Sequence, residues 1–265
     1  MNDNEMKGDL KLVAAVFAST ALFSRTGLWG LFSWAISTPF HETGHAAAAW
    51  LTSRAALPTP FKAIVFSEQR EIWFFLLQVA VCYWIWKRGR DEEDGGGLLI
   101  GLAWVWVVLL VFCSFVLGIQ AREQLIIWAG QAGELALAAA AVSVGLRYGS
   151  ELPWVYGTTK FARQHKVLLF WGSVVFAASA SRWFLCLGNR TLVPFGAFGE
   201  EPDAGDLDRL KDDFNWTVPG MIKSYLFVAF VSMAAVAIVA VLNWEKREAK
   251  PVPGPLRYSG APRSN

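Results

Sequence analysis

The chain has 265 residues, 54% of them hydrophobic and 14% aromatic, and it holds 14 Trp. Charged residues make up only 17%, against about 25% in an ordinary soluble domain, and the mean hydropathy is +0.36. This is the composition of a polytopic membrane protein, not of a soluble enzyme. The net charge of +2 gives no reason to expect a nucleic-acid partner.

A short polar start, residues 1–9, precedes an apolar stretch from Leu10 to about Ser37. No cleavable signal peptide is evident, because Asp3, Glu5 and Asp9 open the chain and no cleavage site follows. The stretch is longer than the roughly 20 residues a membrane helix needs. It reads either as one long tilted helix or as a segment to Ser24 followed by a second from Thr26. Thr38-Pro39 is expected to end it and to start a separate short helix running to about Ser53, with Thr38 as its cap. Further spans are expected at about Glu71–Trp86, Leu98–Gln120, Leu125–Leu146, Val167–Leu187 and Ile222–Trp244. Gly97 and Gly101 offer a small-residue spacing for close helix packing. Trp29, Trp50, Trp84, Trp86, Trp183, Trp216 and Trp244 fall toward span ends, where interfacial anchoring accounts for them.

The expected fold is therefore all-α. It is a polytopic transmembrane helix bundle of about six spans plus a short H-E-x-x-H helix, forming one domain over residues 1–244. Residues 245–265 read as a disordered, basic, Pro-rich tail. Lys and Arg are richer in the N-terminus, the 87–96 and 147–166 loops and the tail, which places both termini in the cytoplasm. Cys82, Cys113 and Cys186 lie in apolar runs and read as buried small hydrophobes.

The residues that carry chemistry begin with His41-Glu42-Thr43-Gly44-His45. On a helix, positions i and i+4 share a face, so both imidazoles point the same way. Two such rings can hold Zn²⁺, and the intervening Glu42 can take a proton. The chain has only three His, so a catalytic zinc site needs another ligand. His165, in a basic loop, reads as a solvated residue, and a carboxylate becomes the expected third ligand. Glu134 is the leading candidate, since an acid in mid-span is costly and marks function by default. Gln131 lies one turn before it, and Gly130 and Gly133 clear space for a neighbouring helix. The competing reading pairs Glu134 with Arg25 or Arg182. Asp206 or Asp208 is the second candidate, in a 188–221 loop of seven acids that otherwise reads as a solvated acidic segment. Leu207, Leu210 and Phe214 give that loop a short amphipathic helix.

A membrane-embedded H-E-x-x-H within Phe40 to Ala46, followed by a small-residue turn, resembles the site-2 protease family of intramembrane zinc metalloproteases. The resemblance implies His41 and His45 as zinc ligands and Glu42 as general base. That family also takes an aspartate from an Asp-Gly motif in a later membrane helix, and no such motif lies inside a span here. The motif with a distant Glu is also similar to the CAAX-processing type of membrane zinc protease, which matches Glu134. The expected function is zinc-dependent hydrolysis of peptide bonds in membrane-associated proteins or peptides. The expected partners are the lipid bilayer, that substrate and another membrane protein. The alternative is a non-enzymatic membrane scaffold or transport component that retains the motif. A histidine-box di-iron enzyme is excluded by ligand count.

Overall fold

The computed structural model describes residues 3–23, 26–91, 96–148, 164–195 and 205–248. Arg25, Glu200, Glu201, Asp203 and the tail beyond residue 248 lie outside them. The described chain is mostly helical. Its helices are α1 (Asp3–Phe23), α2 (Gly27–Leu51), α3 (Ile72–Asp91), α4 (Gly96–Val111), α5 (Ile119–Tyr148), α6 (Gln164–Gly188), α7 (Asp206–Asp212) and α8 (Val218–Glu248). A π-helical turn, Phe112–Val116, extends α4. Between α2 and α3 lies a small antiparallel hairpin, β1 (Ala56–Pro58) and β2 (Ala63–Val65).

Among the described residues, four helices are long and apolar enough to cross a membrane, over Leu99–Val116, Ile119–Arg147, His165–Gly188 and Val218–Asn243. This corrects the expectation of six spans plus a short helix. The first apolar stretch holds two helices, α1 ending at Phe23 and α2 beginning at Gly27. The front of α1 carries Asp9 and Lys11, and the back of α2 carries the polar motif. The end of α3 holds Lys87, Arg88, Arg90 and Asp91, so its charge-free run is shorter than a bilayer needs. The last helix continues through residues 245–248, so the tail expected from residue 245 begins no earlier than residue 249.

Pro39 does not start a new helix. It sits inside the 25-residue α2, and the motif occupies the later turns of that helix. A proline there removes one backbone N–H, and neighbouring side chains satisfy carbonyls around the gap. Ser37 and Thr38 each donate to the Trp34 carbonyl at 3.0 Å. The Trp171 indole of α6 donates to the Ile36 carbonyl at 2.8 Å. Thr38 is thus a mid-helix residue rather than a cap.

The central element is α5, which packs along α2, α6 and α8, while α3 packs with α4 and α1 with α6. The core between α5, α6, α7 and α8 includes Leu135, Val175, Trp183, Leu210 and Tyr225. Trp183 is wholly buried and stacks on Tyr225 at 4.3 Å, so it is a core residue and not an interfacial anchor. Gly97 and Gly101 face open space, whereas Gly96 meets the Gly89 backbone where α3 and α4 join. The three cysteines are free and buried. His165 is also buried, at 1% exposure, with Nε2 3.3 Å from Asp9 Oδ2 of α1. Burial of an acid and an imidazole together replaces the solvated loop expected for His165.

Candidate metal centre

The site forms where α2 lies against α5. A Cβ on Gly44 would fall on the Ala129 carbonyl oxygen and 2.9 Å from Gly133 Cα. A Cβ on Gly133 would stand 2.5 Å from Gly44 Cα. Glycine at both positions lets the two backbones touch. A Cβ on Gly130 would lie 2.5 Å from His45 Nε2 and 2.7 Å from His41 Nε2, so the absence of a side chain there makes room for both rings.

Each imidazole is oriented through its Nδ1. His45 Nδ1 donates to the Ile126 carbonyl at 2.7 Å. A carbonyl only accepts, so this nitrogen carries the hydrogen and Nε2 presents a lone pair. His41 Nδ1 lies 3.1 Å from Glu134 Oε1, with the Gln131 amide 3.5 Å away. The two Nε2 atoms then face each other at 3.1 Å. Asp206 Oδ2 stands 2.9 Å from each of them.

Three acceptor atoms converging on one another repel unless a cation or protons lie between them. Without metal, protons do this work. Burial disfavours a charged imidazole at His41, but hydrogen bonds and charge from Asp206 and Glu134 outweigh it and raise the pKa to about 10. Burial likewise opposes the Asp206 carboxylate, yet the two histidines hold its pKa well below the usual carboxylate range.

The donor set fits zinc. Nitrogen and oxygen ligands at about 2.0–2.1 Å from a tetrahedral ion stand about 3.3–3.4 Å apart. The observed edges are shorter by only a few tenths of an ångström. Among the described residues, His41, His45 and Asp206 are the group able to offer three such atoms. A histidine ligand whose other nitrogen donates to a carboxylate or a carbonyl is the usual arrangement around zinc. Glu134 and the Ile126 carbonyl supply those two acceptors.

The structure brings His41, Glu42, His45 and Glu134 together with Asp206, the second candidate for the third ligand, and it is Asp206 rather than Glu134 that faces both Nε2 atoms. Glu134 meets the Nδ1 side of His41, not the Nε2 side where Asp206 sits. Asp208 is buried on the same short helix and does not join the triangle. The acidic loop thus contributes one residue at the site. The helical spacing of Leu207 and Leu210 was the sequence signal for this placement, since both are buried and anchor α7 against the core.

A cavity of about 850 Å³ opens over the triangle. Glu42 lines it and accepts from the Ala63 amide at 2.5 Å. In the hairpin, Thr59 N–H bonds the Lys62 carbonyl and Phe66 N–H the Ala55 carbonyl. Antiparallel alternation then turns the Ala63 and Val65 amides away from β1, toward the cavity. Arg182 of α6 and Lys62 bring positive charge to the walls, and exposed Leu31, Trp34 and Phe61 bring apolar surface.

No family model, curated protein or solved structure matches this chain.

Proposed function

We propose that the protein is a zinc-dependent peptidase that hydrolyses peptide bonds of membrane-associated substrates. The observation that carries this reading is the convergence of His41 Nε2, His45 Nε2 and Asp206 Oδ2 in one cavity with the Glu42 carboxylate. His41, His45 and Asp206 would hold the ion, leaving a fourth position open toward the cavity. Zinc bound there supplies Lewis-acid polarisation of a carbonyl and acidifies water.

The chain's own groups supply the remaining steps. Glu42, held by the Ala63 amide, takes the proton from the attacking water and returns it to the leaving amine. Glu134 orients the His41 ring and balances its charge. The outward edge of β2 offers backbone groups along which an extended peptide aligns as an added strand. Leu31, Trp34 and Phe61 receive apolar side chains of such a peptide. The four membrane-length helices support a substrate drawn from the bilayer or its surface. The many-span layout and the motif also support the resemblance to membrane zinc proteases, with Asp206 in the ligand role that the family's Asp-Gly residue plays.

The test uses proteoliposomes loaded with zinc and a mixed peptide library read by mass spectrometry. Wild type should cleave, while Glu42→Gln should retain zinc and lose cleavage by about a hundredfold or more. Cleavage at the wild-type rate by Glu42→Gln would remove the proposed base. A hydroxamate should bind the zinc-loaded wild type. Failure to bind, with one zinc present, would mean all four positions are filled and would favour the non-enzymatic scaffold.

A further inference from the structure

Three arginines gather at the joint between α4 and α5, away from the metal centre. Arg122 lies 12 residues before Glu134 on α5, or about 18 Å along the helix. Its side chain is only 6% exposed. Arg54, just after α2, is 3% exposed and pairs with Glu123 Oε1 at 2.6 Å. Arg70 donates to the Ser114 carbonyl at 2.7 Å and stands over the Phe115 ring at 5.5 Å. Arg54, Arg70 and Glu123 are the charges that act on Arg122. The Nε atoms of Arg54 and Arg122 are buried with no hydrogen-bond partner among the described residues.

Arg54 and Arg122 are buried, whereas Arg70 is exposed, and Glu123 is the counter-charge paired with Arg54. A buried guanidinium N–H without an acceptor is costly, so the Nε groups of Arg54 and Arg122 call for an added acceptor. The N-terminus of α5 strengthens this. Its first intrahelical bond runs from the Arg122 N–H to the Gly118 carbonyl, so the Ile119, Gln120 and Ala121 amides precede it.

A cavity of about 300 Å³ adjoins the cluster, lined by Ser53, Arg70, Glu71, Ile72, Phe75 and Phe115. Its surroundings identify the source of the anion. One membrane-length helix ends at Val116 and the next begins at Ile119, so this joint lies at an edge of the bilayer. Ile72, Phe115, Val116 and Ile119 expose more than half of their surface there, as lipid-facing residues do. A phosphodiester offers acceptor oxygens with a single negative charge, which Glu71 on the cavity wall repels less than it would a dianion.

We propose that Arg122, Arg70 and the α5 N-terminus bind a phosphate group, presented by a phospholipid whose chains lie against Ile72 and Phe115. The experiment is native mass spectrometry on the delipidated full chain, with dioleoylphosphatidylglycerol, dioleoylglycerol and inorganic phosphate as separate probes. Phosphatidylglycerol should remain bound to wild type and to Arg122→Lys. Arg122→Gln, with a cooperative thermal unfolding transition as proof of folding, should bind it about tenfold more weakly. If Arg122→Gln does not fold, Arg70→Gln should show the same loss. Equal binding by the wild type and the folded Gln variant would overturn the site. So would dioleoylglycerol binding as tightly as phosphatidylglycerol. Inorganic phosphate binding as tightly as the lipid would overturn the lipid as its source.

Discussion

Asp206 Oδ2 lies 2.9 Å from His41 Nε2 across 165 residues of chain. A seven-residue helix, α7, makes that approach possible by burying Leu207 and Leu210 against α5 and α8 while its first residue reaches the histidines. The third member of the His-His-Asp cluster thus comes from a short loop helix and not from within a span.

Gly130 should act as a steric gate for the metal. Alanine there would place a methyl 2.5 Å from His45 Nε2. Gly130→Ala should lower zinc affinity about tenfold or more with the helical fold retained. Gly101→Ala, whose Cβ meets nothing, is the control and should bind zinc as wild type does. Competition with a fluorescent chelator measures both. Equal affinities would contradict the close approach of α5 to the two rings.

The metal-free protein should lose stability as pH rises. The folded state raises the His41 pKa from 6.5 to about 10, so it binds this proton more tightly than the unfolded chain. The resulting stability is fully present below pH 6.5 and is lost as pH climbs from there through about 10. Zinc takes the proton's place, so zinc affinity should rise over the same window. Thermal unfolding of chelator-treated and zinc-loaded protein from pH 6.5 to 10 reads this directly. A metal-free Tm that does not fall would contradict the assignment.

Ala63 should matter for turnover and not for metal. Ala63→Pro removes the amide that holds Glu42, at a strand position whose N–H faces away from β1. Zinc content should stay at the wild-type level while kcat falls about tenfold or more. An unchanged kcat would mean that the Glu42 carboxylate needs no such support.

The Asp9–His165 pair should behave as a buried coupled pair. Removing one partner, as in His165→Leu, takes this imidazole from a buried carboxylate and should cost about 3 kcal/mol. The double variant Asp9→Leu, His165→Leu should recover part of that loss. A double-mutant cycle on thermal unfolding measures the coupling, and additive losses would contradict it.

His41, Glu42 and His45 were legible in the sequence because helical spacing alone puts them on one face. Glu134 was legible because an acid inside an apolar run needs a reason to be there. Its position on the far ring nitrogen was not, since that depends on how α2 rotates against α5. Asp206 was legible only as a second candidate beside Asp208, because among seven acids of one loop no periodicity tells a buried carboxylate from a solvated one. Pro39 was read by its local rule as a helix start. The hydroxyls of Ser37 and Thr38 and the distant Trp171 indole overrode that rule. His165 was read from its basic neighbours, while its environment is set by Asp9 on another helix. Counting spans failed because α1, α2 and α3 are apolar over part of their length and charged or polar over the rest.

The central claim is the identity of the metal ligands. It is tested most directly by metal content and zinc X-ray absorption on detergent-purified wild type, Asp206→Ala and Glu134→Gln. The account predicts about one zinc per chain in wild type, with two imidazole nitrogens and a carboxylate oxygen at about 2.0–2.1 Å. It predicts loss of zinc in Asp206→Ala, and retention with affinity weakened about 10–100-fold in Glu134→Gln. Zinc kept by Asp206→Ala and lost from Glu134→Gln, or no zinc in folded wild type, would contradict it.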